Sequence, residues 1–208
     1  MTALLLGLLA VLLIPLFVST WRTSLFGLAC QGMLLAWIAH RIEGRLSLDD
    51  ALTFLDLVVV RGLAAPLALY AVLRRQGAPP RSDVIPPNLL SWALALGLVL
   101  LAFRFAAIVV PAEGDAQTLV AVSCSALLLG FLVLATQSSP FAQIVGALRI
   151  ENAIALFELG GPAGHHTSPV IRAGQLGVLV LTVLAFRYYL STAHAGEGPA
   201  EERERPAL

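Results

Sequence analysis

The chain has no lysine: its 13 basic residues are all arginine, stand scattered rather than clustered, and are balanced by 13 acidic residues. A neutral chain without a basic run lacks the electrostatic footprint of nucleic-acid binding, so nucleic acid is excluded as a partner class. Cysteine is scarce as well. Cys30 and Cys124 are the 2 cysteines; they fall in separate apolar segments without metal-ligand spacing, which excludes an iron–sulfur cluster within the chain and leaves both as small packing residues. A glycine-rich nucleotide fingerprint is also missing. The deepest deficit is in charge. Charged residues make up 12% and hydrophobic ones 58% of the chain, against about 25% and about 45–50% in an ordinary water-soluble domain. So much apolar surface cannot be hidden from water by one chain of this length.

What is present instead is a recurrence of long apolar segments. A hydrocarbon core about 30 Å thick is crossed by roughly 20 apolar residues at about 1.5 Å each. Segments of that size run over about 3–20, 24–40, 51–73, 89–110, 118–136, 141–160 and 170–190. The expected fold is therefore an all-α integral membrane protein, a bundle of about seven transmembrane helices, with the lipid bilayer as its main surroundings. The first segment lacks a basic leader and another apolar segment follows at once, so it reads as a retained helix, bent at Pro15. Trp21-Arg22-Thr23 has the aromatic and basic character of a membrane interface. Residues 1–110 form an N-terminal four-helix part, 118–190 a three-helix part, and 191–208 a polar tail expected to be disordered and cytoplasmic. With seven spans, Arg22, Arg74, Arg75, Arg81 and Arg187 fall on one side and Arg41 and Arg45 on the other. The positive-inside rule then places the C-terminus in the cytoplasm and the N-terminus outside.

An ionisable side chain near the bilayer centre costs about 2.5–3.5 kcal/mol on insertion scales, so each one needs a partner, a wet cavity or a function. Asp56, Arg61, Arg104, Arg149 and Glu151 meet that description. Asp56 and Arg61 are about 7–8 Å apart along their helix and share a face imperfectly, so an ion pair is open to them but not dictated. Arg149 and Glu151, two residues apart, are separated by about 200° around the sixth helix and face nearly opposite ways. Glu158 returns to the face of Glu151 about 10 Å further on, a row suited to a proton path if water fills the gap. For Asp56, Arg104 and Arg149 the plainer reading is an ion pair joining helices, or for Arg149 a contact with a neighbouring subunit. Asn152 adds an amide beside Glu151, and Gln175 a polar group in the last helix. His165-His166, adjacent in a loop, do not make a metal site.

The fifth and sixth segments carry Gly130-Phe131-Leu132, Gln137, Gln143, Gly146 and Glu151-Asn152, preceded by Ala29-Cys30-Gln31 in the second and by Arg61 and Pro66 in the third. This set resembles hydrogenase-4 component E, a membrane subunit of formate-hydrogenlyase-type group 4 hydrogenases. The last three helices are similar to the small K-type subunit of complex I. The resemblance implies that Glu151 belongs to a chain of intramembrane carboxylates linking redox chemistry to proton or ion movement. It also implies antiporter-like and hydrogenase anchor-like membrane subunits as partners, and a cytoplasmic redox arm that the chain helps to anchor, with the iron–sulfur clusters and any metal centre in partner subunits. The chain departs from that pattern at Ser138-Ser139 (Arg-Asn in the family), at Ala153 (Gly), at Arg149 (apolar) and at Arg61 (Lys). In the last helix the expected acid falls on Gly174 or Gln175.

The expectation is a non-catalytic membrane subunit of a complex-I-like assembly in a prokaryotic plasma membrane, with Glu151, Glu158, Arg61 and Asp56 along an ion path. A scaffold subunit that conducts nothing and an independent secondary transporter are the alternatives.

Overall fold

The computed structural model describes residues 1–17, 20–43, 48–76, 89–111, 114–136, 139–160 and 169–193. Among them lie seven helices and no strand: Thr2–Phe17, Trp21–Glu43, a composite third helix, Leu89–Val109, Asp115–Thr136, Pro140–Leu159 and Pro169–Ala193. The third is α-helical over Leu48–Phe54, π-helical over Leu55–Ala64 and α-helical again over Ala65–Gln76. The expected all-α bundle is what the chain forms. The seventh helix runs on through Ala193, past the expected start of the tail. The histidine pair, Arg45, Arg81 and residues 194–208 lie outside the described residues.

The second helix is central, packing on the first, third and sixth, while the fifth packs on the first, fourth and sixth. Helices from residues 1–110 thus pack on helices from 118–190 through both the second and the fifth. One apolar core joins Leu5, Leu8, Leu35, Leu57, Val122 and Leu156; another joins Leu28, Leu69, Leu148, Leu179 and Val183. In these clusters the start of the second helix meets the start of the sixth and the end of the third, so the second and sixth run parallel and the third runs against both. The Trp21 ring lies 5.7 Å from that of Tyr70, with the Arg22 guanidinium 5.3 Å from the Trp21 ring centre. This aromatic and cationic cluster has the chemistry of a headgroup-level anchor.

The fourth and seventh helices are peripheral. The fourth buries one stripe, Ala95, Val99, Ala102 and Ala106, whose spacing of three and four residues gives a narrow face. Its other side presents Leu96 and Ile108, 59% and 80% exposed, and the seventh presents Leu181 at 69%. An apolar surface this extensive is not tolerated in water, and it matches lipid tails. Five helices are long and apolar enough to cross a membrane. The first is apolar but shorter, and the sixth carries Arg149, Glu151 and Glu158. The chain is a multi-pass membrane protein.

Candidate functional site: a polar junction of three helices

The second and third helices touch backbone to backbone at Gly32 and Gly62. A Cβ on Gly32 would lie 2.5 Å from the Gly62 nitrogen and 2.6 Å from its Cα, so only glycine permits the contact. Gln31 and Arg61 are the residues just before these glycines, and the crossing therefore brings two polar side chains to the middle of the bundle.

The π-helical segment determines what Arg61 does there. In an α-helix, residues five apart are about 140° apart around the axis. In a π-helix each N–H bonds the carbonyl five residues back, so residues five apart stack on one another. The Ala65 N–H donates to the Val60 carbonyl in this pattern. Pro66, which has no N–H to give the carbonyl four residues back, stands just past the end of the segment. The result is a direct ion pair: Arg61 Nε donates to Asp56 Oδ2 at 3.0 Å, with the side chains 11% and 23% exposed.

The pair extends across two more helices. Arg61 Nη1 donates to Asn152 Oδ1 at 3.3 Å, and Asn152 Nδ2 donates to Gln31 Oε1 at 3.4 Å. Asn152 is held by a sixth helix that starts at a defined point: Ser139 is extended (φ −73°, ψ 136°) and its side chain accepts from the Ala142 N–H, with Pro140 at the first position. Gly130 and Gly146 set the approach of the fifth and sixth helices, since a Cβ on Gly130 would meet Ile150 at 2.7 Å and one on Gly146 would meet Leu134 at 3.0 Å. The finished junction is Asp56–Arg61–Asn152–Gln31, in which Asp56 Oδ1 and Gln31 Nε2 have no hydrogen-bond partner among the described residues.

The structure thus brings together Asp56, Arg61 and Asn152 of the expected site and adds Gln31, which the sequence flagged only as part of Ala29-Cys30-Gln31. Glu151 stays out of the network. It is half-buried and makes no hydrogen bond or ion pair with the described residues, on the side of the sixth helix that also carries exposed Ile154 and Glu158. Glu158 accepts from Gln175 Nε2 of the seventh helix at 3.3 Å, and Arg172, one turn earlier, donates to Thr53 of the third. Arg104 is exposed on the outer side of the fourth helix and joins no helix within the described residues. Arg149 is buried at 3% exposure and its Nε and Nη2 have no partner. Among the described residues no cluster of three metal-ligating side chains occurs.

No family model, curated protein or solved structure matches this chain.

Proposed function

We propose that the chain is a non-catalytic membrane subunit of a larger redox-coupled assembly, of the complex-I-like or group 4 hydrogenase-like kind, and that it contributes to a proton or ion path through a prokaryotic plasma membrane. The observation that supports this reading best is the placement of its carboxylates. Glu151 and Glu158 line one outward side of the sixth helix, where lipid tails would leave an ionised carboxylate unsolvated. A neighbouring membrane subunit covering that side would solve the problem and form the second wall of a path. The path would run from Glu158 and Gln175 near one end of the sixth helix to Glu151 at mid-depth, with Arg61 and Asp56 as fixed charges beside it. Guanidinium stays protonated, so Arg61 acts on the field rather than as a proton carrier. Redox centres belong to the partners in this scheme.

A second reading, a scaffold that conducts nothing, draws on the continuous Asp56–Arg61–Asn152–Gln31 chain, which is what a clamp between helices requires. Glu151→Gln separates the two, because the amide keeps size and hydrogen bonding but cannot titrate. Vesicles reconstituted with the whole assembly should show Glu151→Gln assembled at parental levels but with less ion uptake per electron, and a smaller deficit for Glu158→Gln. Parental uptake at equal assembly would leave the scaffold reading. The proposed orientation has its own check: a reporter after Leu208 should be cytoplasmic and one in the His165-His166 loop external, and the reverse pattern would refute the seven-span assignment.

A further inference from the structure

One turn along the sixth helix from the polar junction lies a charge with no counter-charge among the described residues. Arg149 is 3% exposed and its Nε and Nη2 meet no acceptor. It stands three residues before Asn152, on the neighbouring turn of the same side of the sixth helix. Asn152 in turn donates to Gln31, which is 0% exposed and whose Nε2 also meets no acceptor. Three buried nitrogen donors, two on a guanidinium one turn from Asn152 and one on the amide that Asn152 contacts, therefore have no acceptor among the described residues.

The acidic residues near the junction do not serve. Asp56 pairs with Arg61 through Oδ2, so its one negative charge is already balanced. Glu151 points about 200° away from Arg149 around the helix. The buried charges thus comprise one compensated guanidinium, Arg61, and one uncompensated guanidinium, Arg149. Water accepts hydrogen bonds but leaves the charge unbalanced, and a buried charge without its opposite is the costly case.

We propose that Arg149 and Gln31 hold a small monovalent anion of halide size inside the bundle. Size follows from enclosure: Arg149 is 3% and Gln31 0% exposed, and Arg149 Nε, Arg149 Nη2 and Gln31 Nε2 are all closed off from the surface. Chemistry follows from the donor set, which offers N–H groups and one positive charge and no acceptor to a cation. The inference rests on the fold alone and stands or falls separately from the assembly reading.

The full chain in lipid nanodiscs provides the test. Thermal unfolding should be measured in sodium chloride and in sodium gluconate at equal ionic strength, and chloride exchange should be followed by the line width of its nuclear resonance. Chloride, and bromide in its place, should raise the melting temperature saturably, as a ligand of the folded state does. Arg149→Leu should fold and lose the response, and Gln31→Leu should weaken apparent affinity by about tenfold, the loss of one good donor to an anion. Arg149→Lys keeps the charge without the fork of donors and should bind more weakly than the parent. Arg104→Leu, on the outer side of the fourth helix, should respond as the parent does. A parent indifferent to halide, or an Arg149→Leu or Arg149→Lys chain with undiminished response, would overturn the proposal.

Discussion

The second and fourth helices are both apolar enough to cross a bilayer, yet the chain uses them in opposite ways. Half of the second helix's apolar span is buried within the protein, against 17% of the fourth's. The second contributes Gln31 to the interior and Gly32 to a backbone contact. The fourth keeps Gly97 in open space and turns its leucines outward. Of these two helices the less apolar is the more buried, so apolarity alone does not decide burial here. In water the rule runs the other way, but lipid is as apolar as leucine and gives no drive to hide it, so association falls to close backbone approach and to hydrogen bonds between helices.

Three single substitutions, one with a double variant as its control, probe that contrast, from the largest expected effect to the smallest. Gly32→Ala would place a methyl group on the Gly62 backbone, where no flexible side chain can yield. Parting the two helices should cost about 3 kcal/mol, the upper range for overpacking, read as a lowered unfolding midpoint in detergent titration. A midpoint equal to the parent's would show that the helices do not cross at these glycines. Asp56→Ala leaves Arg61 with only Asn152. Removing one partner of a fully buried pair costs about 3–5 kcal/mol, and the partial exposure of this pair reduces the expectation to about 2 kcal/mol. Replacing both, Asp56→Leu with Arg61→Leu, should recover most of that loss; an additive double variant would deny the coupling. Gly97→Ala in the fourth helix meets no atom within 4 Å and should raise stability by about 0.5 kcal/mol through helix propensity alone. A marked loss there would reveal a packed surface on the outer side of this helix.

Much of this could be read from the residues before any coordinates. Seven apolar stretches gave the helices because bilayer thickness fixes their length, and the two-residue spacing of Arg149 and Glu151 already required them to face apart. Which of the two faces inward was not legible, since periodicity has no inside without neighbours: Arg149 proved buried and Glu151 outward. The Asp56–Arg61 pair was left open because its five-residue spacing was judged against an α-helix. The widened turns that close it coincide with the crossing of the second helix, and their trace in the sequence is Pro66 together with two glycines, Gly32 and Gly62, each beside a polar residue. The sequence marked Asn152 as an accessory to Glu151, whereas the hydrogen bonds make it the hub between Arg61 and Gln31.

The π-helical stretch at Leu55–Ala64 also works as a phase shifter. Each of its turns takes in more residues than an α turn, so the angular offset between Leu48–Phe54 and Ala65–Gln76 depends on how many backbone hydrogen bonds hold the wider pattern. Returning one of those bonds to the α pattern would rotate one end of the helix against the other, like two sections of a crankshaft. The seventh helix grips both sections, through Arg172 and Thr53 at one end and through Leu179 and Val183 against Leu69 at the other. The offset that brings Asp56 and Arg61 together is thus the one at which the seventh helix meets both sections.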